Sequence, residues 1–284
     1  MTARLLDGRA LAGHLRTELR DRVERLAETV GHGHPPVLAI LTDGHHGAAS
    51  LYAASLERAA KSVGVQTDVI VDGDSLVPAI ERLNADPRVA GIVVAQPFED
   101  AAAGRRLVEH IDPEKDVDGA TPTSAGRLAR GEPAFVPATA LAVIAIIEEY
   151  EVPVAGLRAV IVGRSAVVGR PVFSLLLARD ATVVVCHTAT RDLVAETQRA
   201  ELLVAAAGVP GLIRGEMVPP GAIVVDCGIN ATPAGIVGDV LFDEVAPLAK
   251  AITPVPGGIG PVTPMMVLRQ LVEAAERRAS AAAG

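Results

Sequence analysis

The chain has no tryptophan, and aromatic residues make up only 2% of its 284 positions. Half of the residues are hydrophobic, so the core must be built from Ala, Val, Leu and Ile, as in sheets covered by alanine-rich helices. The two cysteines, Cys186 and Cys227, lie in apolar strand-like runs without metal-ligand spacing. They read as buried free thiols suited to a reducing compartment. A net charge of −8 without a basic stripe leaves no electrostatic footprint for nucleic acid. No apolar run reaches the ~18 residues of a membrane span. The opening Met-Thr-Ala-Arg-Leu-Leu-Asp-Gly lacks the apolar core of a signal peptide. These absences predict a soluble cytoplasmic protein with one large or two ordinary domains.

What is present is an alternation of strands and helices. Leu11, Leu15, Leu19, Val23 and Leu26 recur at helical spacing and predict a surface helix from Gly8 to about Glu28, broken by Gly31 to Pro36. Strands follow at 37–41, 65–71 and 91–95, the last ending at Pro97, with helices at 48–63 and 76–84 between them. A short helix at about 104–110 leads into the polar run 111–119, which is too rich in Asp, Pro and Gly to be other than a loop. An apolar helix at 139–150 opens a second alternation. It has strands at 158–163, 182–187, 202–206 and 222–226, and helices at 171–178 and near 192–198. The run 252–263 is too dense in Pro and Gly for a regular element, and a last helix, about 264–278, precedes a fraying alanine-rich tail. The fold class expected is α/β, with two parallel-sheet βαβ domains and a substrate cleft between them.

The chain is organised around Arg158-Ala-Val-Ile-Val-Gly163-Arg-Ser-Ala-Val-Val-Gly169-Arg-Pro171. An apolar strand runs into Gly163, and Pro171 marks a helix start. Free N–H groups at such a turn favour an anion. The spacing is not the G-x-G-x-x-G fingerprint: the turn carries one extra residue, and Ser165 stands where the second glycine would be. Context strengthens it, because a second apolar strand, Thr182–Cys186, follows. An NAD site places a carboxylate after that strand, whereas an NADP site avoids one. Here His187, Thr188, Ala189, Thr190 and Arg191 come first and no carboxylate appears until Asp192. Arg164 can fork onto a phosphate from the turn. The residues favour NADP over NAD, the other reading being a plain βαβ turn that binds nothing.

Four stretches then share one resemblance: Lys115-Asp-Val-Asp-Gly119, Val162-Gly-Arg-Ser-Ala-Val-Val-Gly-Arg-Pro171, Val225-Asp-Cys-Gly-Ile-Asn230 and Thr253-Pro-Val-Pro-Gly-Gly-Ile-Gly-Pro-Val-Thr263. In order and separation they resemble the bifunctional methylenetetrahydrofolate dehydrogenase/methenyltetrahydrofolate cyclohydrolase family over nearly the whole chain. The resemblance implies a folate catalytic domain (1–138 plus 264–284) and a Rossmann-type NADP domain (139–263). It also implies tetrahydrofolate derivatives as substrates, no metal, and a homodimer. Gly163, Arg164 and Ser165 match the family's phosphate turn, Thr188 the hydroxyl near the 2′-phosphate, and Ile229 the backbone beside the nicotinamide. Asp118 matches the carboxylate that holds the pterin, and Tyr52 the aromatic that stacks on the folate. Pro256, Gly257 and Gly258 match the loop that closes the pocket.

The catalytic helix departs from the family. A lysine follows the family's tyrosine by four residues, but Tyr52-Ala-Ala-Ser-Leu56 puts leucine there. Arg58 lies about 200° and Lys61 about 140° around the helix from position 56. The family's glutamine aligns with Ala95. Gln96 is one place late, on the opposite strand face unless a bulge at Pro97 restores it. The family's Pro-Cys-Thr-Pro reads Pro137-Ala-Thr-Ala140. The expectation is NADP-dependent oxidation of 5,10-methylenetetrahydrofolate with weak or absent cyclohydrolase activity. Two alternatives are a paralogue that binds NADP(H) but has lost folate turnover, serving another substrate or a binding role, and an NADP module without catalysis. His45 and His46 read as a solvated loop more than a metal site or a substitute acid/base. Asp112, Glu114 and Asp116 read as a solvated acidic loop, and Glu148, Glu149 and Glu151 as a solvated helix end.

Overall fold

Strand β1 (Arg4–Leu5) and helix α1 (Gly8–Thr29) open the chain in the computed structural model, which describes residues 3–29, 35–44, 47–71, 76–96, 98, 100–233 and 235–283. The chain divides into two units: residues 13–136 with 264–284, and residues 1–12 with 137–263. Among the described residues no helix is long and apolar enough to cross a membrane.

In the first unit, β2 (Val37–Thr42), β3 (Gln66–Val71) and β4 (Val89–Val94) form a parallel sheet in the order β3-β2-β4. The central strand, Val-Leu-Ala-Ile-Leu-Thr, is apolar on both faces because both are covered. The edge strand β3 carries Gln66 and Asp68 and alternates in exposure. Helix α2 (Ala48–Val63) has the bounds expected, and its buried residues Ala49, Ala53, Leu56, Ala60 and Val63 make one stripe at helical spacing. Helices α3 (Leu76–Ala85) and α4 (Ala101–Val108) follow their strands, and α5 (Pro122–Ala129) follows the 111–119 loop. The sequence reading passes over α5, although Thr121 caps it by accepting from Ser124 N–H and Pro122 starts it.

The second unit begins with α6 (Ala138–Glu149) and continues through β5 (Arg158–Val162), α7 (Gly169–Leu177), β6 (Thr182–Cys186), α8 (Leu193–Thr197), β7 (Leu202–Ala205) and β8 (Ile223–Asp226). The antiparallel pair β9 (Asn230–Thr232) and β10 (Gly235–Val237), helix α9 (Phe242–Val245) and β11 (Ala251–Ile252) were not expected from the sequence. The parallel sheet runs β1-β11-β8-β7-β5-β6. Residues 3–12, assigned from the sequence to the folate domain, group with this unit, where Arg4 and Leu5 pair with Ala251 and Ile252 at the sheet edge. Helix α10 (Ile259–Ala283) begins inside the Pro/Gly-rich run and carries Pro264 within it, which corrects the predicted bounds of about 264–278. The first N–H groups of a helix need no internal partner, so Pro261 is tolerated there.

Candidate active site

Strand order reverses beside β5, whose neighbours are β6 and β7, and open α/β sheets bind ligands outside the carboxyl ends of strands at such a point. Gly163 ends β5 with φ +129°, and a Cβ there would lie 2.0 Å from the Ala206 carbonyl oxygen at the end of β7. A Cβ on Gly169 would lie 2.1 Å from the Gly163 oxygen. The turn is therefore closed against its neighbours, and only glycine fits at either position. Ser165 stabilises it, its Oγ accepting from Val168 N–H at 3.1 Å and its carbonyl from Arg170 N–H. Residues 164–167 form an exposed lip that presents Arg164 and Ser165.

After β6, Thr188 is exposed, and His187 and Thr190 hold the loop through His187 N–H to Thr190 Oγ1 and Ala189 N–H to His187 Nδ1. Asp192, the first carboxylate past the strand, accepts from Ala195 N–H at 2.9 Å and caps α8. It is occupied as a helix cap and not offered to a ribose. The turn and this loop fit a dinucleotide carrying an extra phosphate.

By the ends of β8 and β7 lies a pair of carboxylates, Asp226 and Asp239, of which the quoted motifs contain only Asp226 and assign it no part. Asp226 accepts from the N–H groups of Gly228 (2.8 Å), Asp239 (3.0 Å) and Val240 (3.0 Å). Asp239 accepts from Ala207 N–H (2.6 Å), Gly208 N–H (2.8 Å) and Asn230 Nδ2 (2.9 Å). Burial pushes the Asp226 carboxyl up to about 6, with Asp239's charge adding to it and the three N–H donors opposing. The pair fixes the Cys227-Gly228-Ile229 turn and leaves Ile229 64% exposed. Ile229 lines a pocket of about 150 Å³ with Arg9, Cys227 and the Pro256-Gly257-Gly258 loop. Cys186 is buried as expected, but Cys227 is half-buried at this pocket. Burial raises its thiol well above the ordinary range.

In the other unit, the loop Lys115–Gly119 separates structural from presented groups. Lys115 Nζ donates to the carbonyls of Leu83 (2.8 Å) and Asp86 (2.7 Å). Asp116 is 0% exposed and accepts from Ala120 N–H, Thr121 N–H and Ser124 Oγ. It is a buried turn-former, not the solvated acid expected. Burial raises its carboxyl, against the pull of those donors. Gln270 of α10 fastens the loop by donating to the carbonyls of Val117 and Val136 and accepting from Val136 N–H. Asp118 is left half-buried and close enough to Tyr52 to perturb it. Burial drives the Tyr52 phenol well above its usual range, and Asp118's charge adds to that.

Tyr52 and Asp118 thus lie within electrostatic reach of one another. Leu56, one turn on from Tyr52, is 0% exposed on the core stripe of α2. Ala95 is fully buried and Gln96 is exposed, while Pro97, His45 and His46 lie outside the described residues. Among the described residues no group of three or more His, Cys, Asp or Glu could hold a metal.

Two family models cover most of the chain: the tetrahydrofolate dehydrogenase/cyclohydrolase catalytic domain over residues 6–118, and the same family's NAD(P)-binding domain over residues 137–279. The chain belongs to the tetrahydrofolate dehydrogenase/cyclohydrolase family. It is 48% identical over 275 residues to the bifunctional protein FolD of Parafrankia sp., covering 96% of this chain and 99% of that one. The bifunctional enzyme FolD of Campylobacter jejuni superposes with a TM-score of 0.93 at 39% identity, over 97% of this chain and 99% of that one. The Trypanosoma brucei enzyme, solved with NADP cofactor and an inhibitor, gives a TM-score of 0.92 at 34% identity over 98% and 99% of the chains. Leu56, the position that the resemblance marks as departing, is a packed apolar side chain of α2.

Proposed function

We propose that this protein oxidises 5,10-methylenetetrahydrofolate to 5,10-methenyltetrahydrofolate with NADP⁺, and that its hydrolysis of the methenyl product is weak or absent. Gly163, Arg164, Ser165 and Thr188 would hold the cofactor's phosphates, and Ile229 would face its nicotinamide end. NADP⁺, when bound, supplies the hydride acceptor. Tyr52 offers the folate a ring to stack on, and its raised phenol stays protonated at neutral pH. Asp118 would accept hydrogen bonds from the pterin. Loss of hydride from the bridging methylene leaves a cation shared between N5 and N10 of the substrate. That step needs alignment and little proton transfer from the protein.

Hydrolysis differs. It adds water to the same carbon and then breaks a C–N bond, moving protons in both directions, and a positioned acid/base is typically worth ~10²–10⁴-fold. The observation that carries the reading is Leu56, wholly buried where the family resemblance expects a lysine. Incubation with 5,10-methylenetetrahydrofolate and NADP⁺, following NADPH, methenyl and formyl products separately, tests it. NADPH and methenyl product should rise together, with formyl product at the buffer rate.

A second reading, a paralogue that binds NADP(H) without folate turnover, draws on the buried Ala95 and exposed Gln96 as well as Leu56. The proximity of Tyr52 to Asp118 weighs against it, and calorimetry with a folate analogue separates the two. We further expect a cytoplasmic homodimer, for which light scattering should give twice the chain mass.

A further inference from the structure

The loops after β7 and β8 meet on one buried side chain, that of Asp239, which is 0% exposed just past β10. Its Oδ2 accepts from the N–H groups of Ala207 and Gly208, and its Oδ1 accepts from Asn230 Nδ2. Its backbone is held in turn. Asp239 N–H donates to Asp226 Oδ1, which also accepts from Gly228 N–H, and Asp226 N–H donates to Thr253 Oγ1 at 2.7 Å. A Cβ on Gly228 would strike Asp239, and one on Gly238 would strike Asp226, so the two turns close directly onto the carboxylates. The tie is continuous with the glycine turn, because Ala206 N–H donates to the Val162 carbonyl at 2.8 Å and the Ala206 carbonyl faces Gly163. A buried carboxylate is tolerated only when donors surround it. Asp239 finds all of its donors in these two loops, which fixes the loops relative to one another.

The strand order decides which half of the cofactor these loops meet. A dinucleotide lies across the switch point with its pyrophosphate at the first turn. That turn follows β5. The loop carrying Thr188 follows β6 on one side, and β7 and β8 lie on the other. The adenosine half then takes the β6 side and the nicotinamide half the side of β7 and β8. We propose that Asp239 is a positioning residue for the nicotinamide half of the cofactor, joining the loop at 207–208 to the turn at 227–230 so that the two form one wall. Ile229, 64% exposed in that turn and lining the pocket beside it, is the residue whose place the tie sets. The inference rests on the cofactor placement given above.

The test compares two ligands by calorimetry: NADP⁺, and adenosine 2′,5′-bisphosphate, which lacks the nicotinamide half. Asp239→Ala should weaken NADP⁺ binding roughly tenfold, as loss of hydrogen bonds to a charged group does, and leave the bisphosphate within about twofold of wild type. Asp239→Asn should regain part of the loss, because its amide oxygen can still accept from the Ala207 and Gly208 N–H groups. Asn230→Ala breaks only the link to the β8 turn. It should weaken NADP⁺ binding roughly threefold, again sparing the bisphosphate, and it decides the matter if Asp239→Ala does not fold. Equal weakening of both ligands would make Asp239 a support of the whole domain and overturn the proposal. So would an unchanged NADP⁺ affinity in Asn230→Ala. If wild type fails to bind the bisphosphate, the cofactor placement fails first and this inference with it.

Discussion

Leu56 lies on the stripe Ala49, Ala53, Leu56, Ala60 and Val63, and a lysine placed there must give up its hydration. Leu56→Lys should therefore lower stability by on the order of 3 kcal/mol, seen in denaturant melts, while raising methenyl hydrolysis at least tenfold over wild type. Leu56→Met keeps volume and apolarity, so it should cost less than about 1.5 kcal/mol and gain no hydrolysis. Hydrolysis gained equally by both variants would show that the cation is not what is missing. Asp226 offers a separate test. Its folded-state pKa, about 6, lies above the ordinary 3.8, so between those values the folded protein holds the proton more tightly than the unfolded chain. The stability this contributes is complete below pH 3.8 and lost as pH rises through 6. A carboxyl ¹³C titration should place the Asp226 midpoint near pH 6, and a midpoint in the ordinary range would contradict the burial argument.

At the scale of elements, the glycine turn between β5 and α7 depends on close approach, so Gly163→Ala should push β5 and β7 apart at their ends. The expected outcome is at least a tenfold weaker NADP⁺ affinity by calorimetry together with a lower melting temperature. Unchanged affinity would remove the turn from the cofactor site. In the loop after β6, Thr188→Asp places a carboxylate where a 2′-phosphate would sit. It should cut kcat/KM for NADP⁺ roughly tenfold and narrow the preference over NAD⁺. The elements best read from sequence were those with a period to read: α2 matched its predicted bounds, and β5, β6, β7 and β8 differed by a residue at their ends. The strands β1 and β11, two residues each, are too short to show any period. The start of helix α10 was hidden because Gly and Pro occupy its first turns, where missing donors cost least. Tyr52 and Asp118 were singled out by the resemblance alone. The working parts of Lys115, Asp116, Asp226, Asp239 and Gln270 were not, because a buried polar residue and a solvated one look alike in a sequence until their partners are known.

For the whole molecule, the positions where the resemblance expects other residues (Leu56, Ala95, Ala138 and Ala140) lie on α2, just after β4 and at the start of α6, whereas the glycine turn keeps the expected residues and Thr188, in the loop after β6, keeps a hydroxyl in place of a serine. That distribution suits a chain that retains hydride transfer, which asks for alignment, and has let go of a step that asks for a proton carrier. The most direct measurement supplies purified protein with 5,10-methenyltetrahydrofolate alone and follows its disappearance against buffer. Alongside it, NADPH formation from 5,10-methylenetetrahydrofolate is followed with the same preparation. The account predicts NADPH formation with methenyl decay at the buffer rate. Enzyme-dependent decay of the methenyl compound would contradict it.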